Sequence, residues 1–250
     1  RHSKMFLKKH IIVCLAFIGL SASLPAQYNS DFGQNRIQYK SFDWIYYSTN
    51  HFDVYHYQGG REYADQAIEF LEDEFNNITD LLGYAPYSKT KIFIYNSIHD
   101  LQQSNVGIDG VEFNIGGQTD FIKLQIEIAH PGTAIEFKQE LVYKLSRKLI
   151  EEMLFGGSLA EIFQSSYLLN LPRWFVDGAA RYLAYGWSAD MDDYIRNYLT
   201  NKEIKKRGKV EGELAGLVGQ SVWNYIAINY GKSNVSNILS LTRIIRNEEN

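Results

Sequence analysis

Cysteine is almost absent from this 250-residue sequence, which contains a single one, Cys14. One cysteine cannot form a disulfide within the chain, so the fold must be stabilised by its apolar core. Proline is also scarce, with four residues, and neither an internal repeat nor a low-complexity linker divides the chain. The sequence therefore predicts a continuous domain without a flexible hinge between parts.

Strong charge and long apolar runs are missing as well. The formal net charge is −4 and the charges are spread along the chain, which argues against nucleic acid as a partner. No apolar run reaches the roughly 20 residues that a membrane-spanning helix needs. The sequence does contain 45% hydrophobic and 14% aromatic residues, enough for a packed core. We expect no nucleic-acid partner and no membrane span in the mature chain.

The N-terminal residues have the three-part layout of a secretory signal peptide. A basic stretch at residues 5–10 precedes an apolar run at 11–20 and a small-residue stretch at 21–26. We predict a signal peptide at 5–26 that is cleaved after Ala26, with residues 1–4 non-native or read-through. A buried N-terminal helix is the alternative. Export would place the mature chain in the periplasm, at the outer membrane or outside the cell, and Cys14 would leave with the leader.

The first half of the mature chain alternates between strand and helix patterns. Three segments show the two-residue period of a half-buried strand: 52–57, 91–95 and 121–128. Between the first two, residues 61–82 carry a helical stripe of apolar side chains, and Gly83 is placed to end that helix. Residues 107–117 are glycine-rich and predict a loop. We expect a small mixed or antiparallel sheet.

The second half reads as helices. Residues 133–154 form one long predicted helix, in which four apolar residues spaced four apart share a face: Leu141, Leu145, Leu149 and Met153. Further helices are predicted at 159–169, 172–185, 191–202, 214–230 and 233–250. The whole is an α+β domain at 27–250, with a strand-rich part at 27–131 and a helical part at 132–250. The last helix stops without a capping glycine, so we expect the natural chain to be truncated here and to continue beyond residue 250.

Two of these helices contain the motifs on which the functional prediction depends. Residues 139–143 read QELVY, and residues 171–182 read LPRWFVDGAARY. Together they resemble the peptidase-MA-like family of gluzincin metallopeptidases, in which one helix carries HELxH and a later helix carries LPxWFxEGxAxY. Residues 220–226, followed by Tyr230 and Gly231, resemble the next helix of that family. The resemblance implies a metallopeptidase fold.

The zinc chemistry of such a family needs specific side chains. Two histidines four apart on a helix grip one zinc ion, and a glutamate on a second helix completes three protein ligands beside a water molecule. The glutamate inside the motif takes a proton from that water. By the resemblance, the histidine positions are Gln139 and Tyr143, the third ligand position is Asp177, and Glu140 is the vestigial base.

The residues at these positions are poor zinc ligands. An amide oxygen is neutral, and a phenol with a pKa near 10 would have to ionise before it could bind. No histidine elsewhere stands four residues from another on a predicted helix. We therefore predict that zinc is lost and that the domain has no metal cofactor, with Gln139, Tyr143 and Asp177 as vestigial ligand positions.

Three functions follow from these residues. The first is a non-catalytic pseudopeptidase, a binding or scaffold domain with a protein or peptide partner in the cell envelope. For this domain the resemblance implies a following TolB-like β-propeller in a larger exported protein of Gram-negative bacteria. The second is a peptidase with an all-oxygen ligand set of Asp177, Glu140 and Glu136, which favours calcium or manganese. The third is a glycan-binding module that uses clustered aromatic residues, for which a position at a sheet edge or in the core is the simpler expectation: Phe42, Trp44, Tyr46 and Tyr47.

Simple structural roles compete with these functions. Glu140 is spaced to pair with Lys144 one turn later. Asp177 has an arginine four residues away on either side, Arg173 and Arg181, and either of them would neutralise it. On this interpretation the former ligand positions only fill the volume of the lost site.

Overall fold

A computed structural model describes residues 40–104, 125–156, 171–200 and 212–248. Residues 37–250 form one compact unit. Several predictions lie outside the described residues: the signal peptide at 5–26, the loop at 107–117 and the helix at 159–169.

The described strands form one mixed sheet. They lie side by side in chain order: β1 (Ile45–Ser48), β2 (Phe52–His56), β3 (Thr90–Tyr95) and β4 (Ile126–Ala129). β1 is antiparallel to β2, whereas β2 and β3, and β3 and β4, are parallel. The three predicted strands are confirmed, although the third begins at Ile126 in the described residues. β1 lies at the sheet edge and holds Tyr46 and Tyr47, for which a sheet edge was expected but no strand bounds were predicted.

Seven helices accompany this sheet in the described residues: α1 (Arg61–Leu82), α2 (Ile98–Gln102), α3 (Ala134–Phe155), α4 (Arg173–Tyr185), α5 (Ala189–Thr200), α6 (Gly212–Tyr230) and α7 (Ser233–Glu248). The predicted α+β class, with a strand-rich first half and a helical second half, is confirmed. Within the described ranges, no helix combines the length and apolarity needed to cross a bilayer. The short α2 was not predicted.

Helix α1 links the parallel strands β2 and β3. It ends at Gly83, whose φ of 63° is left-handed and whose amide points back to carbonyls of the last turn. Glycine adopts this backbone conformation without a steric penalty, so the predicted helix end is confirmed. The buried side of α1 is apolar: Ala64, Ala67, Leu71, Phe75, Ile78 and Leu82.

The two faces of the sheet differ in composition. The face toward the main core is mostly aliphatic and fully buried: Phe52, Val54, Ile92, Ile94, Ile126 and Ile128. On the other face, Tyr55 stacks on Tyr46 at 5.2 Å and on Phe93 at 4.4 Å between ring centroids. Tyr55 is therefore stacked on both sides, whereas Tyr46, on the edge strand, is 56% exposed.

Helix α3 anchors the helical half to the sheet. Its predicted apolar stripe is buried, with Leu141, Leu145 and Leu149 fully inaccessible and Met153 2% exposed. Thr133 caps the first turn by accepting a hydrogen bond from the Glu136 amide. The face of α3 away from this stripe is left to contact α4.

Two glycines let α4 and α6 cross with their backbones in contact. A β-carbon at Gly219 would lie 1.9 Å from the Trp174 carbonyl oxygen, and one at Gly178 would lie 2.4 Å from the Gly219 carbonyl carbon. The Trp223 indole N–H donates to the Phe175 carbonyl oxygen at 2.9 Å beside this crossing. The crossing determines where Asp177, next to Gly178, is held.

Candidate functional site

The candidate site lies along the contact between α3 and α4. Gln139, Tyr143 and Arg147 follow one another at intervals of four residues, so they occupy successive turns on one side of α3. Asp177 and Arg181 occupy the facing turns of α4. We refer to Tyr143, Arg147, Glu151, Asp177 and Arg181 as the α3–α4 seam.

Arg147 is the centre of the seam. Its Nη1 lies 3.4 Å from Asp177 Oδ1, and its Nε donates to Glu151 Oε1 at 2.9 Å. Burial opposes the guanidinium charge, but the carboxylates of Glu151 and Asp177 outweigh it and raise the pKa of Arg147 above its ordinary value. Asp177 thus pairs with Arg147, which lies on another helix and was not among its expected partners. Its expected pairing with Arg173 or Arg181 stays a prediction.

Glu151 and Asp177 are well covered on either side of this guanidinium. Their side chains are 13% and 17% exposed, compared with 35% for Arg147. Burial raises the pKa of the Glu151 carboxyl, and Arg147 acts against that rise. The two carboxylates thus share one cation, and the charge of Asp177 adds to the rise in the pKa of Glu151.

Tyr143 contributes a neutral phenol to the seam. Burial, with a further contribution from the Asp177 carboxylate, raises the pKa of Tyr143 above its ordinary value of 10.0. The nearby charges of Arg147 and Arg181 act against that rise. At neutral pH Tyr143 therefore keeps its proton and does not offer the phenolate that a metal ion would need.

Arg181 closes the seam against α6. Its guanidinium carbon lies 5.7 Å from the Tyr143 ring centre and 5.9 Å from that of Tyr185, and these two rings stack at 5.9 Å. It also reaches Glu213 at 3.5 Å. A β-carbon at Gly216 would lie 2.7 Å from Arg181 Nε, so the glycine makes room for this side chain. Arg181 thereby links three helices by stacking and charge.

Gln139 and Glu140 lie at the exposed end of this helix face. Half of the Glu140 side chain is exposed, and its Oε1 lies 3.8 Å from Lys144 Nζ, which confirms the predicted pairing. Partial burial raises the pKa of Glu140. Burial, reinforced by the charge of Arg147, lowers the pKa of Lys144 to about 8.

The carboxylates of the all-oxygen ligand hypothesis have separate partners. Glu136 accepts a hydrogen bond from Thr133 Oγ1 at 2.8 Å, Glu140 faces Lys144, and Asp177 faces Arg147. In the part of the chain that the structure describes, no three His, Cys, Asp or Glu side chains group so that they could hold a metal ion.

The described histidines also have neighbours of their own. His51 Nδ1 lies 2.6 Å from Glu72 Oε2, and His130 stacks on Tyr63 at 4.0 Å. His56 and His99 contact residues adjacent to them in sequence or on the same helix. Within the described ranges, the fold brings no imidazole into a group with Asp177.

Sequence reasoning identified the right helix face but missed two members of the seam. Arg147 and Glu151 continue the four-residue spacing that starts at Gln139 and Tyr143, so this periodicity was the available signal. Spacing within α4 indicates only partners on that helix, whereas Arg147 faces Asp177 from α3.

The chain matches no family model, no curated protein and no solved structure. The resemblance of residues 139–143 and 171–182 to metallopeptidase motifs therefore stays a prediction.

Proposed function

We propose that this chain is a non-catalytic domain with a metallopeptidase-like helix pair, which serves as a binding or scaffold part of an exported cell-envelope protein. The observation that carries the proposal is the ion pair between Asp177 and Arg147. The acidic side chain at the third ligand position already has a cation as its partner.

Electrostatics supports this interpretation. A divalent ion beside Asp177 would lie close to the guanidinium of Arg147, and like charges a few ångströms apart in a partly buried site repel strongly. The protonated phenol of Tyr143 would not offset that repulsion. Gln139 supplies a neutral amide oxygen, which is a weak ligand for zinc. Both histidine positions and the surrounding charge thus disfavour the catalytic metal.

A peptide-cleavage assay tests the lack of catalysis. The purified chain is incubated with a library of unstructured peptides, with and without a chelator, beside a Glu140→Gln variant as matched control. We expect no cleavage above background in any sample. Cleavage that disappears with chelator and in the Glu140→Gln variant would instead establish the metal-dependent peptidase with an atypical ligand set.

Export is a separate part of the proposal and depends on the N-terminal pattern. The basic, apolar and small-residue segments at 5–26 support a cleaved leader. Expression in a Gram-negative host, followed by mass spectrometry of the periplasmic fraction, is expected to give a chain that begins at Gln27. A chain recovered only in the cytoplasm with residues 5–26 intact would contradict export.

A further inference from the structure

The seam provides ligands of the kind that a hard divalent cation uses, but it contains an arginine at their centre. Two carboxylates contact the Arg147 guanidinium, those of Asp177 at 3.4 Å and Glu151 at 2.9 Å. Oxygen ligands of this type are those that calcium and manganese prefer. We infer that Arg147 is a built-in cation that takes the place of a divalent ion here and positions Asp177 against α3.

The charges around the seam support this assignment. Asp177 and Glu151 contact the same guanidinium, at 3.4 and 2.9 Å, so the charge of one carboxylate acts on the other. Two neighbouring cations are directed to other carboxylates, Arg181 to Glu213 and Lys148 to Glu152. Arg147 contacts both acids, so its removal leaves two like charges facing each other.

The shape of the guanidinium suits this role better than an ammonium group does. Its Nε faces Glu151 and its Nη1 faces Asp177, so two different nitrogens bind carboxylates from two helices. An arginine side chain holds its donors in a rigid planar fork, whereas lysine offers one point charge on a flexible stem. The role of Arg147 as the cation between the two acids follows from the observed contacts alone. The idea that Arg147 replaces a former metal ion rests on the proposed function.

The first test compares Arg147→Met with Arg196→Met. Arg196 is the matched control because it also contacts two carboxylates, those of Asp192 and Asp193, but it is 67% exposed. We expect the thermal unfolding midpoint to fall by about 5–10 °C for Arg147→Met and by less than about 2 °C for Arg196→Met. Arg147→Lys is expected to recover only part of the loss. Equal effects at the two arginines would overturn the inference.

Rescue experiments separate a cation role from simple packing. Calcium or manganese chloride is added to chelator-treated Arg147→Met protein. At ten times its dissociation constant, the ion should raise the midpoint by about 3–6 °C. Wild type and an Arg147→Met, Asp177→Asn double variant are expected not to respond. No response in Arg147→Met, or an equal response in all three proteins, would contradict the assignment.

A charge-free variant covers the case in which Arg147→Met does not fold. Replacing Arg147 by Met, Asp177 by Asn and Glu151 by Gln removes the cation and both carboxylates together. We expect this triple variant to fold and to be more stable than Arg147→Met, because the repulsion is gone. A triple variant no better than Arg147→Met would show that Arg147 acts by packing alone. These outcomes are independent of peptide cleavage, so either proposal can fail without the other.

Discussion

Two arginines of this chain each contact two carboxylates, yet their surroundings differ. The partners of Arg196, Asp192 and Asp193, lie on its own helix α5, and all three side chains are more than half exposed. Arg147 has one partner on its own helix and another, Asp177, on α4. The same side-chain chemistry therefore gives a local surface contact in one place and a connection between helices in the other. The difference lies in burial and in the origin of the partners, not in residue type.

The largest loss of stability is expected from a substitution that displaces α4, the helix that carries Asp177. Gly219→Ala places a β-carbon against the Trp174 carbonyl oxygen, so α4 and α6 must separate. We expect a loss of about 3 kcal/mol or more in the free energy of unfolding, measured by urea denaturation. The Arg147 contact should weaken with it, which would reduce the difference between the two arginines.

Gly216→Ala is the matched control for that prediction. Its β-carbon would meet the flexible side chain of Arg181 instead of a backbone. We expect a loss of about 1 kcal/mol, because a long side chain can shift. If Gly219→Ala costs no more than this control, the close crossing does not position Asp177.

The second largest effect is expected to be the difference in stability lost when each of the two arginines is replaced. Arg147→Met should cost about 2–3 kcal/mol, less than a fully buried pair, because a third of the side chain is exposed. Arg196→Met should cost less than about 0.5 kcal/mol. Urea denaturation measures both losses in the free energy of unfolding, provided that the m-value is unchanged. Losses that agree within error would show that the two arginines contribute equally.

A third cation–carboxylate cluster, of intermediate exposure, extends the comparison to the pH dependence of stability. Asp100 lies 2.5 Å from Lys40 Nζ and accepts a hydrogen bond from the Tyr57 hydroxyl at 2.6 Å. Burial opposes ionisation, but these hydrogen bonds outweigh it and lower the pKa of Asp100. A lowered folded-state pKa gives stability above the unfolded value, near 3.9, and loses it as the pH falls through the folded value.

Asp100→Asn should therefore cost about 1–2 kcal/mol at pH 7 and progressively less on acidification. Unfolding curves of variant and wild type are compared between pH 7 and pH 2. The two should converge at the acid end. A constant difference over this range would show that the contribution of Asp100 is not due to its charge.

The smallest effect is expected at Glu140. Its half-exposed pair with Lys144, 3.8 Å apart, predicts that Glu140→Gln changes stability by less than about 0.5 kcal/mol. Thermal unfolding at neutral pH measures this directly. A loss comparable to that of Arg147→Met would mean that Glu140 belongs to the network of charges in the seam.

The sequence predicted those features that depend on local periodicity. The bounds of α1 follow from its apolar stripe and from Gly83, and the buried face of α3 follows from four residues spaced four apart. For β1 only a sheet-edge or core position was expected, without bounds, because Ile45, Tyr46 and Tyr47 follow one another and give no alternation of apolar and polar residues. The partner of Asp177 was missed for another reason. An ion pair between α3 and α4 depends on how these two helices pack, and the residue spacing along either helix does not show that.

Elemental analysis of the purified chain tests the central claim most directly. The protein is prepared without added chelator and its zinc, calcium and manganese contents are measured against protein concentration. With Arg147 as the cation beside Asp177, each metal should be far below one equivalent. About one zinc per chain, retained through dialysis and lost to a chelator, would contradict the account.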